Sequence, residues 1–289
     1  MTAHRAGVVA ILGRPNAGKS SLLNAILGEK LAIVSDKPQT TRSRILGIKN
    51  RPGAQLLFVD TPGLHPSERT LNVVLNRQAH DAGNDCDVAL LLVDLARSWG
   101  DDHAALFERL RGRETPVLVV GTKLDQPGAR EAAWPPPGVD LTFRVSAHSG
   151  EGVEALLDAV TERVPESPPL YPDDDLSDRP LRFLVAELVR EAAIDALDQE
   201  LPYALAVEIE EYDESRADLV RIRANLIVER ESQKPIAIGQ GGLRIKQIGI
   251  RARREIEKLV DAHVHLELWV KVEPKWTKRP ARIKALGYV

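Results

Sequence analysis

The stretch Gly13-Arg14-Pro15-Asn16-Ala17-Gly18-Lys19-Ser20 constrains this chain more than any other. The apolar run Val8–Leu12 precedes it, and a segment with helical apolar spacing, beginning at Ser21, follows it. A glycine loop of spacing GxxxxGKS between a strand and a helix is a phosphate-binding loop, whose backbone N–H groups and helix dipole face one concavity. We therefore predict that this loop binds nucleotide phosphates, with Lys19 reaching the β- and γ-phosphates and Ser20 holding Mg²⁺.

Composition limits the class of protein. A length of 289 residues is typical of two domains. The net charge of −3 is uneven, because residues 221–289 carry 16 Lys and Arg against 7 Asp and Glu. That basic end predicts a polyanionic partner. With Cys86 as the single cysteine, a disulfide framework is excluded, and the lack of a long apolar run argues against a signal peptide or a membrane span. We expect a cytoplasmic protein.

Strands alternate with helices through the first half of the chain. Buried-type strands are expected at Leu56–Val59, Val88–Val93 and Pro116–Gly121, and helices near residues 71–82, 101–111 and 151–163. This alternation predicts an α/β domain with a mostly parallel sheet covered by helices on both faces. The clusters Asp60–Gly63, Thr122–Asp125 and Ser146–Ala147 each follow a strand. Ligands bind at the carboxyl ends of such strands, so we expect these clusters to meet around one ligand.

The chemistry of these clusters fits a guanine nucleotide. Asp60 can bind Mg²⁺ through water while the Gly63 N–H contacts the γ-phosphate. The Asp125 carboxylate can accept both the N1–H and the N2 amine of guanine, a pattern that adenine lacks. The backbone of Ser146 and Ala147 would close over the guanine O6.

Taken in order with Thr40 and Thr41, these clusters resemble the five motifs of translation-factor-type GTPases. Thr122 replaces the Asn of the usual N-K-x-D motif, and its hydroxyl can supply part of the bracing that the amide gives to the phosphate-binding loop. The resemblance implies that Lys19, Thr41 and Gly63 act in catalysis and that Ser20, Thr41 and Asp60 hold Mg²⁺. It implies the following nucleotide-binding residues: Gly13, Arg14, Pro15, Asn16, Ala17, Gly18, Lys19, Ser20, Ser21, Asp60, Thr61, Pro62, Gly63, Leu64, Thr122, Lys123, Asp125, Ser146 and Ala147.

Two positions bear on the hydrolysis step. Leu64 stands where Ras-type GTPases carry the Gln that orients the attacking water, so we expect slow intrinsic hydrolysis. The neighbouring His65 is more typical of an exposed bystander. Asn16 resembles the residue with which some GTPases, together with the segment around Thr40, hold a potassium ion. K⁺ is therefore a second candidate cofactor.

The second half of the chain has the order helix, strand, strand, helix, glycine turn, helix, strand, beginning with an amphipathic helix at residues 181–199. With the turn Gly239–Gly242 it resembles a type II KH domain, whose GxxG loop clamps about four nucleotides of a single strand. A lone GxxG could be an ordinary turn, but basic neighbours favour RNA. The resemblance implies these RNA-binding residues: Lys234, Gly239, Gln240, Gly241, Gly242, Arg244, Lys246 and Arg251.

Two features near the C-terminus are open to alternatives. Trp269 points away from the core stripe of the last strand and could stack on a base or sit at the domain interface, and we expect it to pack. The basic stretch Lys275–Lys284 is a candidate helix that either touches RNA or is solvated.

A GTPase domain at residues 1–165, a linker at 166–180 and a KH domain at 181–289 together resemble the Era family. The resemblance implies a GTP-hydrolysing switch that binds 16S rRNA near its 3′ end and assists assembly of the small (30S) ribosomal subunit. It implies GTP and GDP as ligands and a monomeric protein, with weak peripheral membrane association as a further expectation. The alternatives are a nucleotide-dependent regulator of cell division or growth at the membrane surface, and a passive RNA-binding protein with a vestigial nucleotide site.

Overall fold

The computed structural model describes residues 4–35, 37, 40–62, 85–97, 99–113, 115–198, 200–216 and 218–288. The chain divides into two compact units. The first contains the described residues up to Asp178 except Ile33–Thr40, and the second contains Ile33–Thr40 and the residues from Arg179 onward. The division at Asp178 falls inside the segment 166–180 that the sequence marks as a linker.

A six-stranded sheet forms the centre of the first unit, in the order β2-β3-β1-β4-β5-β6. All neighbouring strands are parallel except β2 and β3, which are antiparallel. The predicted α/β class with a mostly parallel sheet is thus confirmed. The strands are β1 (Arg5–Gly13), β2 (Ile45–Arg51), β3 (Ala54–Asp60), β4 (Val88–Asp94), β5 (Val117–Thr122) and β6 (Thr142–Arg144).

Burial explains the apolar runs of this sheet. Every residue of β3 and β4 is buried, as expected for central strands covered on both faces. The described helices of this unit are α1 (Lys19–Leu27), α2 (Asp101–Arg111) and α3 (Val153–Thr161). The helix expected at 71–82 lies outside the described residues. Helix α3 begins two residues later than the sequence suggests because Gly152, at its N-cap, adopts a left-handed φ of 76°.

The residues that follow α3 hydrogen-bond to the first unit. Ser167 N donates to the His4 carbonyl at 3.0 Å, and Ile48 N donates to the Leu176 carbonyl at 2.9 Å. The buried Gln55 accepts from the backbone N–H of Tyr171 at 2.9 Å. These contacts hold the proline-rich stretch against β2 and β3.

The second unit contains a three-stranded sheet in the order β7-β8-β9, in which β7 is antiparallel and β9 parallel to β8. Its elements follow the order that the sequence predicts, although its first helix ends at Ala196 rather than at residue 199. They are α4 (Leu181–Ala196), β7 (Ala206–Arg216), β8 (Leu219–Val228), α5 (Gln233–Ile238), α6 (Leu243–Val260), β9 (His263–Val272) and α7 (Pro280–Ala285). Ile248, Ala252 and Ile256 form the buried stripe of α6.

The C-terminal basic stretch is part of this fold. Trp276 is fully buried, and its indole Nε1 donates to the Ala204 carbonyl at 3.0 Å. The Arg282 guanidinium pairs with Glu208 at 2.7 Å and with Glu273 at 2.9 Å. These contacts assign Arg282 and Trp276 to packing of the tail rather than to a solvated helix.

Candidate nucleotide and nucleic-acid sites

The phosphate-binding loop connects β1 to α1 at the carboxyl edge of the sheet. Gly13 has a φ of 151°, and a Cβ there would lie 2.8 Å from the Leu92 carbonyl oxygen, which explains why this position requires glycine. Gly18, the N-cap of α1, has a left-handed φ of 86°, and Asn16 also lies in the left-handed region at 61°. The backbone therefore turns sharply and directs the first turn of α1 toward the loop, where an anion binds.

Lys19 is the most buried cation of this loop, with 6 % of its surface exposed. Its Nζ donates to the carbonyl oxygens of Gly13 at 3.2 Å and Arg14 at 2.9 Å. Burial lowers the pKa of Lys19 to about 8, although the nearby Asp60 raises it. Phosphate charge would stabilise the ammonium form, so this lysine is suited to an anionic ligand.

A magnesium-binding group lies next to the lysine. Ser20 Oγ donates to Asp60 Oδ2 at 2.6 Å and lies 2.9 Å from Thr41 Oγ1. Burial raises the pKa of Asp60 to about 6, while Lys19 and Ser20 lower it. Asp60 Oδ1 is buried and has no hydrogen-bond partner among the described residues. Two hydroxyls and a carboxylate with a spare oxygen are the hard donors that Mg²⁺ prefers, so these residues fit the ion.

The base-binding loops lie at the ends of β5 and β6. Asp125 is exposed, and its Oδ1 accepts a hydrogen bond from Ser146 Oγ at 2.6 Å, which lowers the pKa of this carboxyl. Thr122 Oγ1 donates to the Ala17 carbonyl at 2.8 Å. The predicted residues thus lie at the ends of strands or in the segments that directly follow them, at one edge of the sheet: Lys19, Ser20, Asp60, Thr122, Asp125 and Ser146.

The side chains of two predicted residues bond to the protein itself, and other predicted residues are not described. Thr61 Oγ1 donates to the Ile11 carbonyl at 2.9 Å, so its side chain is part of the sheet packing. Thr40 Oγ1 donates to the Lys37 carbonyl at 2.6 Å, whereas Thr41 faces Ser20. Gly63 and Leu64 lie outside the described residues.

Sequence reasoning missed two carboxylates of this site. Asp94 ends β4 as Asp60 ends β3, and its Oδ2 accepts from Lys123 Nζ at 2.8 Å. Asp102, in the first turn of α2, forms a two-point ion pair with the Arg14 guanidinium of the phosphate-binding loop. The signal for Asp94 was its position at the carboxyl end of the strand Val88–Asp94. Nothing in the sequence linked Asp102 to Arg14.

The predicted GxxG turn connects α5 to α6. Gly239, Gly241 and Gly242 all have left-handed φ values, of 75°, 58° and 78°. A Cβ at Gly239 would lie 2.6 Å from the Arg244 Cβ, so only glycine allows α6 to begin so close. This turn leaves backbone free to approach a phosphate at the N-terminus of α6.

A groove of about 310 Å³ lies beside this turn, between α6 and β9. Its lining includes the apolar residues Ile245, Ile250 and Leu268 and the cations Lys246 and Arg253. Lys234 and Lys246 are exposed, as an RNA contact requires. Arg244 Nη1 donates to the Ile236 carbonyl at 2.9 Å, and Arg251 pairs with Asp195 at 2.7 Å. The last two side chains are therefore held by the protein itself.

The chain matches known proteins over nearly its full length. Residues 8–123 match the family described as 50S ribosome-binding GTPase, and residues 200–277 match the KH domain family. GTPase Era of Stenotrophomonas maltophilia is 44% identical over 99% of this chain and 98% of its own. GTPase Era of Geotalea uraniireducens is 44% identical over 98% of each.

The chain belongs to the Era family of GTPases. Two solved Era structures agree with this fold at 38% identity, each covering 99% of both chains. One is Era in complex with MgGDPNP and nucleotides 1506–1542 of 16S ribosomal RNA, with a TM-score of 0.92. The other is an Aquifex aeolicus Era variant bound to GDP and AlF4⁻, with a TM-score of 0.93.

In this Era-family GTPase, the described residues of the segment Ile33–Thr40 bond to α4 inside the second unit. Val34 N donates to Glu191 Oε1 at 3.0 Å, and Ser35 Oγ donates to Asp195 Oδ1 at 3.0 Å. Lys37 Nζ donates to the Ile194 carbonyl at 2.7 Å and also to the Leu197 carbonyl, so it caps the C-terminal end of the helix. The fully buried Arg190 donates to the Thr40 carbonyl at 2.5 Å.

None of the described helices is both long and apolar enough to span a bilayer. Within the same residues, no group of three or more His, Cys, Asp or Glu side chains forms a metal site.

The expectation that Trp269 packs was wrong. Its side chain is 60% exposed, because it lies on the face of β9 opposite α6.

Proposed function

We propose that this Era-family GTPase binds single-stranded RNA at the 3′ end of 16S rRNA when it carries GTP, and so assists assembly of the small ribosomal subunit. The observation that carries the proposal is the Gly239–Gly242 turn at the start of α6, next to an apolar groove with basic side chains. KH domains clamp single strands with this arrangement. The relative bound to MgGDPNP and to nucleotides 1506–1542 of 16S ribosomal RNA supports both ligands.

The hydrolysis step uses the groups at the edge of the sheet. The charge that develops on the phosphates would be neutralised by Mg²⁺ when it is bound. Ser20, Asp60 and Thr41 are the residues that would hold it, since their side-chain oxygens already meet. Lys19 holds its positive charge at the phosphates, and the N–H groups of the loop orient them for attack by water. The products are GDP and inorganic phosphate.

The described segment before Thr41 supplies a way for the second unit to detect the nucleotide. Thr41 belongs to the first unit and Thr40 to the second, although they are neighbours in the chain. A ligand that draws the Thr41 hydroxyl toward the metal acts directly on the residues bonded to Glu191, Asp195 and the end of α4. Because Asp195 also pairs with Arg251 of α6, the same contacts reach the helix that follows the GxxG turn.

We propose K⁺ as a second cofactor beside Mg²⁺. Asn16 turns through a left-handed conformation inside the phosphate-binding loop, where a second cation could neutralise phosphate charge. Hydrolysis rates measured in potassium and sodium buffers test this. Faster turnover in potassium supports the site, and equal rates would remove it.

We also propose that the chain acts as a monomer and that any membrane association is weak and peripheral. Sedimentation of the purified chain tests the first statement, and competition between anionic liposomes and RNA tests the second. Displacement of RNA by liposomes would instead favour the regulator at the membrane surface.

Crosslinking of the full chain to RNA, with GTP analogue, GDP or no nucleotide, tests the proposed function. We expect crosslinks at the 3′ end of 16S rRNA, strongest with the GTP analogue. Lys246→Glu, which places a carboxylate in the groove, should remove them, whereas Lys49→Glu in the first unit should not. Crosslinks that Lys246→Glu leaves unchanged would contradict the assignment of the groove.

A further inference from the structure

Lys123 has an unusual backbone conformation. Its φ is 60°, in the left-handed region that residues with a long side chain rarely adopt. Such a conformation persists where the surrounding contacts hold it. Lys123 lies between Thr122, whose hydroxyl donates to the Ala17 carbonyl, and the loop that carries Asp125, the residue predicted to bind the base. The turn at Lys123 therefore determines where Asp125 is presented.

The side chain of Lys123 is held by a buried carboxylate. Asp94 Oδ2 accepts a hydrogen bond from Lys123 Nζ at 2.8 Å, and Asp94 is buried. Asp94 Oδ1 accepts from the backbone N–H of Ala96 at 3.0 Å, so both carboxylate oxygens are engaged. Arg97 Nε lies farther from Oδ2, at 3.8 Å, on an exposed side chain. A short charge-assisted hydrogen bond to a fixed carboxylate is stronger than an exposed ion pair, so Lys123 is the main partner.

The sheet places Asp94 next to this turn. Asp94 ends β4 and is paired with Thr122 at the end of β5 in the parallel register. Leu95 N donates to the Thr122 carbonyl at 3.2 Å, which continues the pairing past the end of β4. The residue after Thr122 is Lys123, so its ammonium group lies within reach of Asp94. Because every residue of β4 is buried, the position of this carboxylate is set by the core of the sheet.

Further hydrogen bonds continue from the turn to the base-binding carboxylate. Leu124 N donates to the Val145 carbonyl at 3.1 Å, and Ser146 Oγ donates to Asp125 Oδ1 at 2.6 Å. Both bonds require the chain to turn at Lys123, since an extended backbone there would carry Leu124 away from Val145. The contact between Asp94 and Lys123 thus acts on the placement of Asp125.

We propose that Asp94 is a positioning residue for guanine recognition, which holds Lys123 in its left-handed conformation and so places the Asp125 carboxylate for the N1–H and N2 amine of the base. Asp94 acts through Lys123 rather than by touching the nucleotide. This inference rests on the proposed binding of GTP and deepens it, because it adds a residue of β4 to the selection of the base.

The test compares the affinities of the full chain for GTP and for inosine triphosphate, which lacks the N2 amine. The wild type should prefer GTP by roughly tenfold or more, which corresponds to one hydrogen bond to a charged group. Asp94→Ala should remove most of this preference, and Asp94→Asn, which retains an acceptor oxygen, should keep part of it. Asp87→Ala is the matched control, since Asp87 accepts from Val8 N at 2.7 Å at the opposite end of β4 and should not affect the preference.

A glycine at position 123 separates the conformational role from a general loss of stability. Glycine adopts a left-handed φ without steric cost, so adding Lys123→Gly to Asp94→Ala should restore the preference for GTP. The ratio of the two affinities is the readout, because the Lys123 side chain is itself a predicted nucleotide-binding group and its loss weakens binding of both nucleotides. If Asp94→Ala fails to fold, the same glycine substitution is compared on Asp94→Asn.

The outcomes separate this inference from the function on which it rests. A preference for GTP that Asp94→Ala leaves unchanged, or one that it removes and glycine does not restore, would overturn the positioning role while GTP binding stands. If the wild type itself binds GTP and inosine triphosphate equally, the assignment of Asp125 to the base is wrong and the role of Asp94 falls with it.

Discussion

The Thr122 hydroxyl donates a hydrogen bond to the Ala17 carbonyl at 2.8 Å and lies 3.2 Å from the Val93 carbonyl. This contact ties the loop that selects the base to the loop that binds the phosphates. It is the bracing for which related GTPases use an asparagine in the same motif. The threonine hydroxyl thus supplies a hydrogen bond to the phosphate-binding loop at Ala17.

Thr122→Val should weaken binding of both GTP and GDP. The substitution keeps the shape of the side chain but leaves buried carbonyl oxygens without a donor, which costs about 1–3 kcal/mol, or roughly five- to hundredfold in affinity. Titration with a fluorescent guanine nucleotide measures the effect. Thr122→Ser, which retains the hydroxyl, should bind nearly as the wild type, and an equal loss in both variants would argue against the hydrogen bond.

Asp125→Asn should change the base preference from guanine to xanthine. The Asp125 carboxylate is exposed and is held by Ser146, so it can accept two hydrogens from guanine. The amide of asparagine can donate to the C2 carbonyl of xanthine instead. We expect GTP affinity to fall by roughly ten- to hundredfold and xanthosine triphosphate to bind better than GTP. Asp140→Asn, at another exposed carboxylate of this unit, should leave both affinities unchanged.

Replacing one member of the buried Arg190–Glu187 ion pair should lower the free energy of unfolding strongly. Replacing both members together should change it little. Arg190 Nε donates to Glu187 Oε1 at 2.7 Å, and both side chains are buried. Arg190→Met leaves an unpaired buried carboxylate, which should lower the free energy of unfolding by about 3–5 kcal/mol. Adding Glu187→Leu to Arg190→Met should restore most of the lost free energy of unfolding. Urea denaturation tests this, and a double variant as unstable as the single one would contradict it.

His103 should make the stability of the first unit depend on pH. Burial lowers the pKa of His103 below its usual 6.5, and the nearby Arg14 lowers it further. Just below pH 6.5 the unfolded chain therefore binds more protons than the folded chain, so the free energy of unfolding falls as the pH is lowered. The urea midpoint at pH 5.5 and 7.5 should differ less in His103→Gln than in the wild type. His148→Gln, at an exposed loop histidine, should keep the wild-type difference.

Local patterns were sufficient to predict most of the two folds. Strands β1, β3 and β5 are short apolar runs that lead into the motifs of the site, and parallel strands bring such ends together. The four-residue spacing of Ile248, Ala252 and Ile256 likewise matches the buried face of α6. These features depend on periodicity and on glycine turns, which the sequence shows directly.

Contacts between distant residues could not be predicted. Trp269 and Trp276 are seven residues apart, yet one is 60% exposed and the other fully buried. Alternation shows that Trp269 lies on the outer face of its strand, but not whether another element covers it. Trp276 is buried because the tail turns back to the Ala204 carbonyl, and no local pattern contains that partner. The pairing of Arg14 with Asp102 depends in the same way on the tertiary fold.

Asp195 connects a residue just before Thr41 to helix α6, so one substitution there tests the proposed coupling. It accepts from Ser35 Oγ at 3.0 Å and pairs with Arg251 at 2.7 Å. Asp195→Ala should reduce the difference in RNA affinity between the GTP-bound and GDP-bound chains while leaving nucleotide affinity unchanged. Asp198→Ala, a more exposed carboxylate nearby, should have a smaller effect.

The most direct measurement is the affinity of the full chain for the 3′ end of 16S rRNA with a non-hydrolysable GTP analogue and with GDP. If the nucleotide controls the GxxG groove, RNA should bind roughly tenfold or more tightly with the GTP analogue, a coupling of about 1.4 kcal/mol. Equal affinities in the two nucleotide states, with both nucleotides bound, would contradict the account.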